Sequence, residues 1–326
     1  MPFRRPLRPG LRAFAIAGLV IGTIITVLSL FSSRLPALDI VNDFLPLTLG
    51  GIVLVLLLTV IAAPGRLVVA VLFLLTVNSA YLVQGMQGGA SDAPEGSQHF
   101  LRIASLNLGA RNERMDEVAN FLSETDPDII VFQEMKTPAL RDRLKSRYPY
   151  VAGTWGLVLL SKFPLNGDGR IDRLDSHGWS RNLVNWATLT VKGTTFTLAG
   201  VHLERPYYAE AQMFDVSTVA SFVRNQAAPV ILVGDFNMTP WSMKLQHIAE
   251  VTGLKRFNTF HPTWPMQIHE VPLVPFAAID NVLAAGQFQR LSLQTGPRLG
   301  SDHRPIIADI ALPGTTANAN NEKGKP

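Results

Sequence analysis

The sequence predicts an α/β fold, a four-layer sandwich of two packed mixed sheets with outer helices, preceded by three transmembrane helices. Three observations carry this prediction. Three apolar runs without a single charged side chain open the 326-residue chain. Strand-like and helix-like stretches then alternate over residues 100–313. In that region strands outnumber helices, which favours two packed sheets over one doubly wound sheet.

The apolar runs are Ala13–Phe31, Phe44–Ala63 and Leu67–Val83. About 20 apolar residues span a hydrocarbon core, so the first two are long enough and the third is near the short limit. A signal peptide's apolar region is typically about 7 to 15 residues, which the first run exceeds. Residues 1–84 therefore read as a membrane anchor with three transmembrane helices. Arg4, Arg5, Arg8 and Arg12 precede the first run and Arg66 separates the second from the third, whereas no Lys or Arg occurs from Gln84 to Leu101. Positive residues stay on the cytoplasmic side. The amino terminus is predicted inside, and three crossings leave the rest of the chain outside. Residues 85–99, rich in Gly, Ser, Pro and acid, have the composition of a flexible linker. Residues 314–326 are polar and are expected to be a disordered tail.

Within residues 100–313, Leu101–Asn107 reads as a strand, Met115, Val118, Ala119 and Leu122 recur at helical spacing, and Ile129–Phe132 is a β-branched strand core. Such a βαβ unit sets its two strands parallel. Further strands are expected at Gly156–Ser161, Leu183–Val191, Phe196–Leu203, Val230–Asp235, Ile279–Ala284 and Ile306–Leu312, with Lys192-Gly193 turning two of them into a hairpin.

Composition excludes several chemistries. The chain has no cysteine, which removes disulfides, thiol nucleophiles and Cys-ligated metal. Charged residues are 17%, against about 25% in ordinary soluble domains. The net charge of +4 sits in the anchor: residues 1–66 hold six basic and two acidic groups, while residues 100–313 hold 21 and 20. The basic stripe of a dedicated nucleic-acid binder is missing.

Polar residues stand immediately after apolar strands: Asn107 in IASLNLG, Glu134 in IIVFQEM, His202 in LAGVHLE, Asp235 and Asn237 in VILVGDFN, and Asp302 and His303 in LGSDHRP. Ligand sites in α/β sheets form beyond strand ends, so the repetition points to one shared site. A single Asp or Asn there would read as a turn residue or cap. Asn107 and Glu134 end the two strands of one βαβ unit, and hard oxygen donors suit Mg²⁺ or Mn²⁺. Zinc is disfavoured, because no HExxH or comparable pairing accompanies His202 and His303.

In the order SLNLG, FQEM, VHLE, GDFNMTPWS, AIDNVL and SDHRP, residues 100–312 resemble the endonuclease/exonuclease/phosphatase superfamily. The resemblance implies a metal-dependent phosphoric ester hydrolase. It implies metal ligation by Glu134, with Asn107 beside it and Asp302 able to serve the metal. It makes His303 the general base with Asp280 as its partner, Asp235 and Asn237 the pair that orients the nucleophile or assists the leaving oxygen, and His202 a hydrogen-bond donor to phosphoryl oxygens. Similar bacterial members carry membrane anchors, which implies an integral protein of a bacterial inner membrane, although the three helices carry none of the motif; the arginine distribution makes the catalytic domain extracytoplasmic. Phe276-Ala277-Ala278 stands where the family often has an arginine, a difference at the substrate contacts.

The partners implied are a phosphoester, whether lipid-linked, small-molecule or nucleic acid, and the bilayer itself; no protein partner is evident. Two other classes compete with a tethered phosphoesterase. A noncatalytic binding protein retaining the fold would be expected to lack one of Glu134, Asp235, Asp280 or His303, and all four are present. A channel subunit would need charged residues in its apolar segments. A nonspecific extracytoplasmic nuclease remains the nearest alternative. Trp241 and Trp264 read as packing residues or cleft walls, Arg181 and Asn182 as phosphate contacts or surface, and His177, His261 and His269 as loop histidines. Arg141–Arg147 reads as a helix's solvent face.

Overall fold

The computed structural model describes residues 7–62, 65–93, 100–136, 138–153, 155–174, 180–268 and 271–313. The apolar runs are helical. α1 (Leu7–Leu30) is followed by a 3-10 turn (Pro36–Asp39) and the one-turn α2 (Ile40–Asp43), then by α3 (Leu45–Ala62) and α4 (Arg66–Met86). All three long helices are long and apolar enough to cross a membrane. They pack tightly: a Cβ on Gly18 of α1 would lie 2.4 Å from Val55 of α3, so only glycine permits that approach. Asn78 of α4 donates to Thr26 Oγ1 and to its own helix at Leu74 O, both at 2.9 Å, so the polar group inside the bundle is satisfied. Phe14, Val20, Leu54, Leu57, Val69 and Phe73 face outward and exposed, an apolar perimeter that water would disfavour.

The α/β domain contains β1 (Phe100–Asn107), β2 (Ile129–Met135), β3 (Tyr150–Ala152), β4 (Gly156–Ser161), β5 (Leu165–Leu174), β6 (Ser180–Val191), β7 (Thr194–His202), β8 (Val230–Asp235), β9 (Lys255–Arg256), β10 (Gln267–Ile268), β11 (Val271–Pro272), β12 (Asp280–Ala284), β13 (Gln289–Thr295) and β14 (Ile306–Ala311). Its helices are α5 (Met115–Thr125), α6 (Pro138–Leu144), α7 (Ala209–Arg224) and α8 (Met243–Thr252). One six-stranded sheet runs β13-β14-β1-β2-β4-β3, the other β5-β6-β7-β8-β12-β9, and β10-β11 is a separate hairpin. Both sheets are mixed: β1 pairs parallel with β2 and antiparallel with β14, and β7 pairs parallel with β8 and antiparallel with β6.

Period-two alternation explains the layers. In β2, Ile129 and Val131 join the core between the sheets, whereas Ile130 and Phe132 pack with Val118, Leu122 and Leu140 of α5 and α6. In β8, Ile231 and Val233 face the other sheet, and Leu232 joins Val216, Val219, Leu245 and Ile248 of α7 and α8. Four layers result, as the sequence predicts. The β6–β7 hairpin turns at Lys192 and Gly193, with φ of 49° and 81°, the left-handed pair a tight hairpin requires.

Of the six strands outside the sequence expectation, β10 and β11 form the separate hairpin and β3, β5, β9 and β13 are the four edges of the two sheets. Edge strands are half-solvated and short or charged, as in LNGDGRIDRL of β5, so they lack the apolar run that betrays a central strand. Of the segment with linker composition, residues 85–93 lie along two of these edges. Ala90 N donates to Arg256 O of β9 at 3.3 Å, and Ala93 N to Arg290 O of β13 at 2.8 Å. Residues 94–99 and 314–326 lie outside the described residues.

Candidate active site

The strand ends named by the sequence meet at one rim. Register places His202 of β7 beside Asp235 of β8, and Asp235 opposite Asp280 of β12. From the other sheet, Asn107 Nδ2 donates to Asp235 Oδ2 at 3.0 Å, tying the two sheets together at the site. The first residue of the GDFN motif is fixed by contact: at Gly234, φ 147°, a Cβ would lie 2.1 Å from Val201 O.

His303 is the centre of the arrangement. Its Nδ1 lies 2.9 Å from Asp280 Oδ2, and its Nε2 is 3.8 Å from Asp235 Oδ2. Its backbone N–H donates to Ser301 Oγ at 3.0 Å, which fixes the turn that delivers it. His202 Nε2 approaches the same Asp235 oxygen at 3.7 Å. Burial alone would lower the His303 pKa, but Asp280 and Asp235 outweigh it and push it up to about 10. Burial raises Asp235, reinforced by Asp280 and opposed by His303 and His202. His303 is thus flanked by two acidic side chains that favour its charged form.

Glu134 and Asn237 are non-glycine residues with left-handed backbone, φ 55° and 51°. Glu134 sits in a β-bulge between Phe132 and Met135, where β2 breaks its pairing with β4. Such conformations cost of order 1–3 kcal/mol and cluster at functional sites. Asn237 is over-determined: its N–H donates to Asp235 Oδ1 at 2.9 Å and its Nδ2 to Leu203 O at 2.9 Å.

A cavity of about 330 Å³ opens on this rim, and Glu134, His202, Asp235, Asn237, Asp302 and His303 all line it. Asn107 and Asp280 stand behind it as supports of Asp235 and His303. The donor set fits a hard divalent cation. Asp235, Asp280 and His303 offer ligand atoms within 4.8 Å of one another. Asp280 is already committed to His303, however, which leaves the cavity carboxylates of Glu134 and Asp302 as the better oxygen donors. Asp302 Oδ2 also accepts from Trp264 Nε1 at 3.2 Å.

Several lining residues carry no motif. Among the described residues Arg205 is the one Lys or Arg in the lining, three residues past His202, and its Nη1 donates to Tyr207 OH at 3.0 Å. The loop bearing it is anchored by a buried cluster in which Arg173 meets Glu204 at 2.6 Å and Asp215 at 3.1 Å. Burial pushes Asp215 up to about 7 despite Arg173. Trp264 lines the cavity; Trp241 is fully buried and donates from Nε1 to Leu82 O of α4 at 3.0 Å. Arg181 and Asn182 do not line it, and Asn182 donates to Trp155 O. Arg143 pairs with Asp116 and Arg147 with Asp126 on the surface, but α6 ends at Leu144, so the run expected on a helix face continues past the helix into a turn. His261 lies off the cavity, and His177 and His269 lie outside the described residues.

The anchor also reaches the site. Asp43 Oδ1 accepts from Thr239 N and Thr239 Oγ1, both at 2.9 Å, directly after the GDFN motif. Asp39 accepts from Ser242 Oγ at 2.6 Å and Met243 N at 2.8 Å, at the start of α8. Burial and the neighbouring Asp39 push Asp43 up to about 7. These are the only acidic residues among the first 66. Their sole advance signal was a carboxylate placed between two apolar helices.

The profile of the Endonuclease/Exonuclease/phosphatase family matches residues 104–303, from within β1 to the central histidine. The chain belongs to this family. Its members are typically hydrolases of phosphoesters. Solved structures share the family fold at low identity. Truncated TDP2 of Caenorhabditis elegans superposes with a TM-score of 0.53 at 20% identity, covering 65% of this chain and 98% of that one. The D. rerio TDP2 complexed with single strand DNA product gives 0.55 at 18%, over 65% and 98%. The family member of Bacteroides vulgatus gives 0.55 at 19%, over 66% and 100%. No curated protein matches this chain closely enough to count as a relative.

Proposed function

We propose that this protein is a membrane-tethered, divalent-metal-dependent phosphoesterase whose catalytic domain lies on the outer face of a bacterial inner membrane. The observation that carries the reading is the Asp280–His303–Asp235 series, hydrogen-bonded at one end and opening at the other into the cavity that Glu134 lines. The arginine distribution supports the orientation. It also puts the 31–44 turn, the end of α4 and the domain on one side of the membrane, in keeping with the contacts of Asp39, Asp43 and Tyr81 with the domain.

Glu134 and Asp302, with Asn107 adjoining, would hold Mg²⁺ or Mn²⁺. When bound, the cation neutralises charge on the phosphoryl oxygens. The remaining work falls to the chain. His303, kept cationic by its two carboxylates, clamps a phosphoryl oxygen, and His202, Asn237 and Arg205 add donors around the phosphate. Asp235, raised in proton affinity, takes a proton from the attacking water. A new P–O bond forms to that water, the ester P–O bond breaks, and the departing oxygen leaves with a proton from solvent or from His303. Assigning the base to Asp235 departs from the role the family resemblance gave His303; the flanking carboxylates are the reason.

The test is hydrolysis of bis(p-nitrophenyl) phosphate and p-nitrophenyl phosphate by the full-length protein in detergent, with Mg²⁺, Mn²⁺ or chelator. Turnover that needs the metal and disappears in His303→Ala, Glu134→Gln and Asp235→Asn supports the reading. Unchanged turnover in all three folded variants, or none in the wild type with either metal, overturns it.

A further inference from the structure

The cavity has two unlike walls. Beside its charged groups, which include Asp43, the cavity is lined by Ile40, Phe44, Trp264, Phe276, Ala277 and Ile279. Ile40 and Phe44 belong to the turn between the first two apolar helices, and Phe44 directly precedes Leu45, the first residue of α3. The Phe44 and Phe276 rings lie 5.8 Å apart and those of Phe276 and Trp264 6.1 Å apart, and Trp264 donates to Asp302 beside His303. Three rings therefore lead from the end of a membrane-length helix to the charged site.

A second observation lies in the stretch that leads to Phe276. Val271, Leu273 and Val274 are 61%, 39% and 87% exposed, and the stretch runs directly into Phe276 on Phe44. Three branched aliphatic side chains presented to solvent within four positions mark a surface made for an apolar partner. Tyr207 and Tyr208, exposed with ring centroids 4.6 Å apart, add side chains that favour a membrane–water boundary. Tyr81 OH donates to Trp241 O at 2.9 Å and Trp241 donates back to Leu82, so the domain also rests on the end of α4. The cavity thus takes part of its lining from the end of the helix bundle, where the helices would leave the bilayer.

Resting on the phosphoesterase reading above, we propose that the substrate is a phosphoester carried by a membrane lipid, drawn into the cleft from the bilayer past Phe44 and the Val271–Phe276 stretch. The charged end takes one phosphate, and the aromatic wall takes the first carbons of the lipid. A polynucleotide would need several cationic contacts along its backbone, and among the described residues Arg205 is the one Lys or Arg lining the cavity.

The experiment uses the full-length chain in phosphatidylcholine vesicles containing phosphatidic acid or phosphatidylglycerol, against soluble bis(p-nitrophenyl) phosphate and a single-stranded oligonucleotide. The expected result is a kcat/KM on one of the two lipids at least about tenfold above that on the soluble ester, with Val274→Glu lowering the lipid-to-soluble ratio about tenfold. Because the chain has no cysteine, Val274→Cys can carry a single polarity-sensitive fluorophore. Its emission should shift to the blue in vesicles and resist an aqueous quencher. Metal-dependent turnover of the soluble ester with no lipid preference, or preference for the oligonucleotide, overturns this inference and leaves the phosphoesterase reading standing. A water-like fluorophore spectrum in vesicles likewise overturns it. Absence of all turnover overturns the earlier reading, and this one with it.

Discussion

The two ends of the cleft are built by different means. The charged end is assembled from the rims of two sheets, where neighbouring strands fix His202, Asp235 and Asp280 by register and Asn107 bridges the sheets by a hydrogen bond. The apolar end is assembled from a helical turn at residues 36–44 and the stretch before β12, joined by tilted and edge-to-face rings, while two buried carboxylates tie the turn to Thr239, Ser242 and Met243. On the reading proposed above, chemistry falls on rigid elements, where small displacements cost rate, and substrate access on parts brought together from distant stretches of the chain.

Substitutions separate the two ends, and the largest effects belong to the charged one. His303→Ala should lower kcat on every substrate by on the order of 10²- to 10⁴-fold with little change in folding, measured by steady-state assay and circular dichroism. Glu134→Gln should cost roughly 10²-fold and raise the metal concentration for half-maximal activity, measured by Mg²⁺ titration. At the apolar end, Phe44→Ala should lower kcat/KM about tenfold on vesicle-borne substrate and much less on a soluble ester, which is the sharpest comparison between the ends. Asp39→Ala strips Ser242 Oγ and Met243 N of their acceptor and should destabilise the full-length protein by about 1–3 kcal/mol, read by thermal unfolding in detergent.

The smallest effect is a pH dependence. Asp43 is raised from 3.8 to about 7 in the folded protein, so its charged form is disfavoured there. Its contribution to stability is greatest below about 3.8, declines as pH rises towards 7, and is flat above. Asp43→Asn keeps an oxygen for Thr239 without the charge. The variant should therefore gain thermal stability relative to wild type between pH 5 and 8, and a constant difference across that range would count against a titrating Asp43.

The central strands were legible because each needs an unbroken apolar run to be covered on both faces, as ILV in β8 or IIVF in β2. The edge strands β3, β5, β9 and β13 were not, since one side meets solvent and their composition resembles a loop. The charged site was legible for the same reason as the central strands: its residues sit where apolar runs stop. Arg205 was not, because it lies in a loop whose shape depends on Arg173, Glu204 and Asp215 in distant elements. Nor did Phe44 give any sign, since an aromatic residue at the start of an apolar helix looks the same whether it faces lipid, a neighbouring helix or a cleft.

The contacts of Asp39 and Asp43 with the GDFN loop bear on how such a chain can change over evolutionary time. A leader that merely holds an enzyme at a surface can be exchanged for any other of adequate length. Here the leader also supplies Ile40, Asp43 and Phe44 to the lining of the cavity, so a chimera with a foreign leader should show a different selectivity together with its new address.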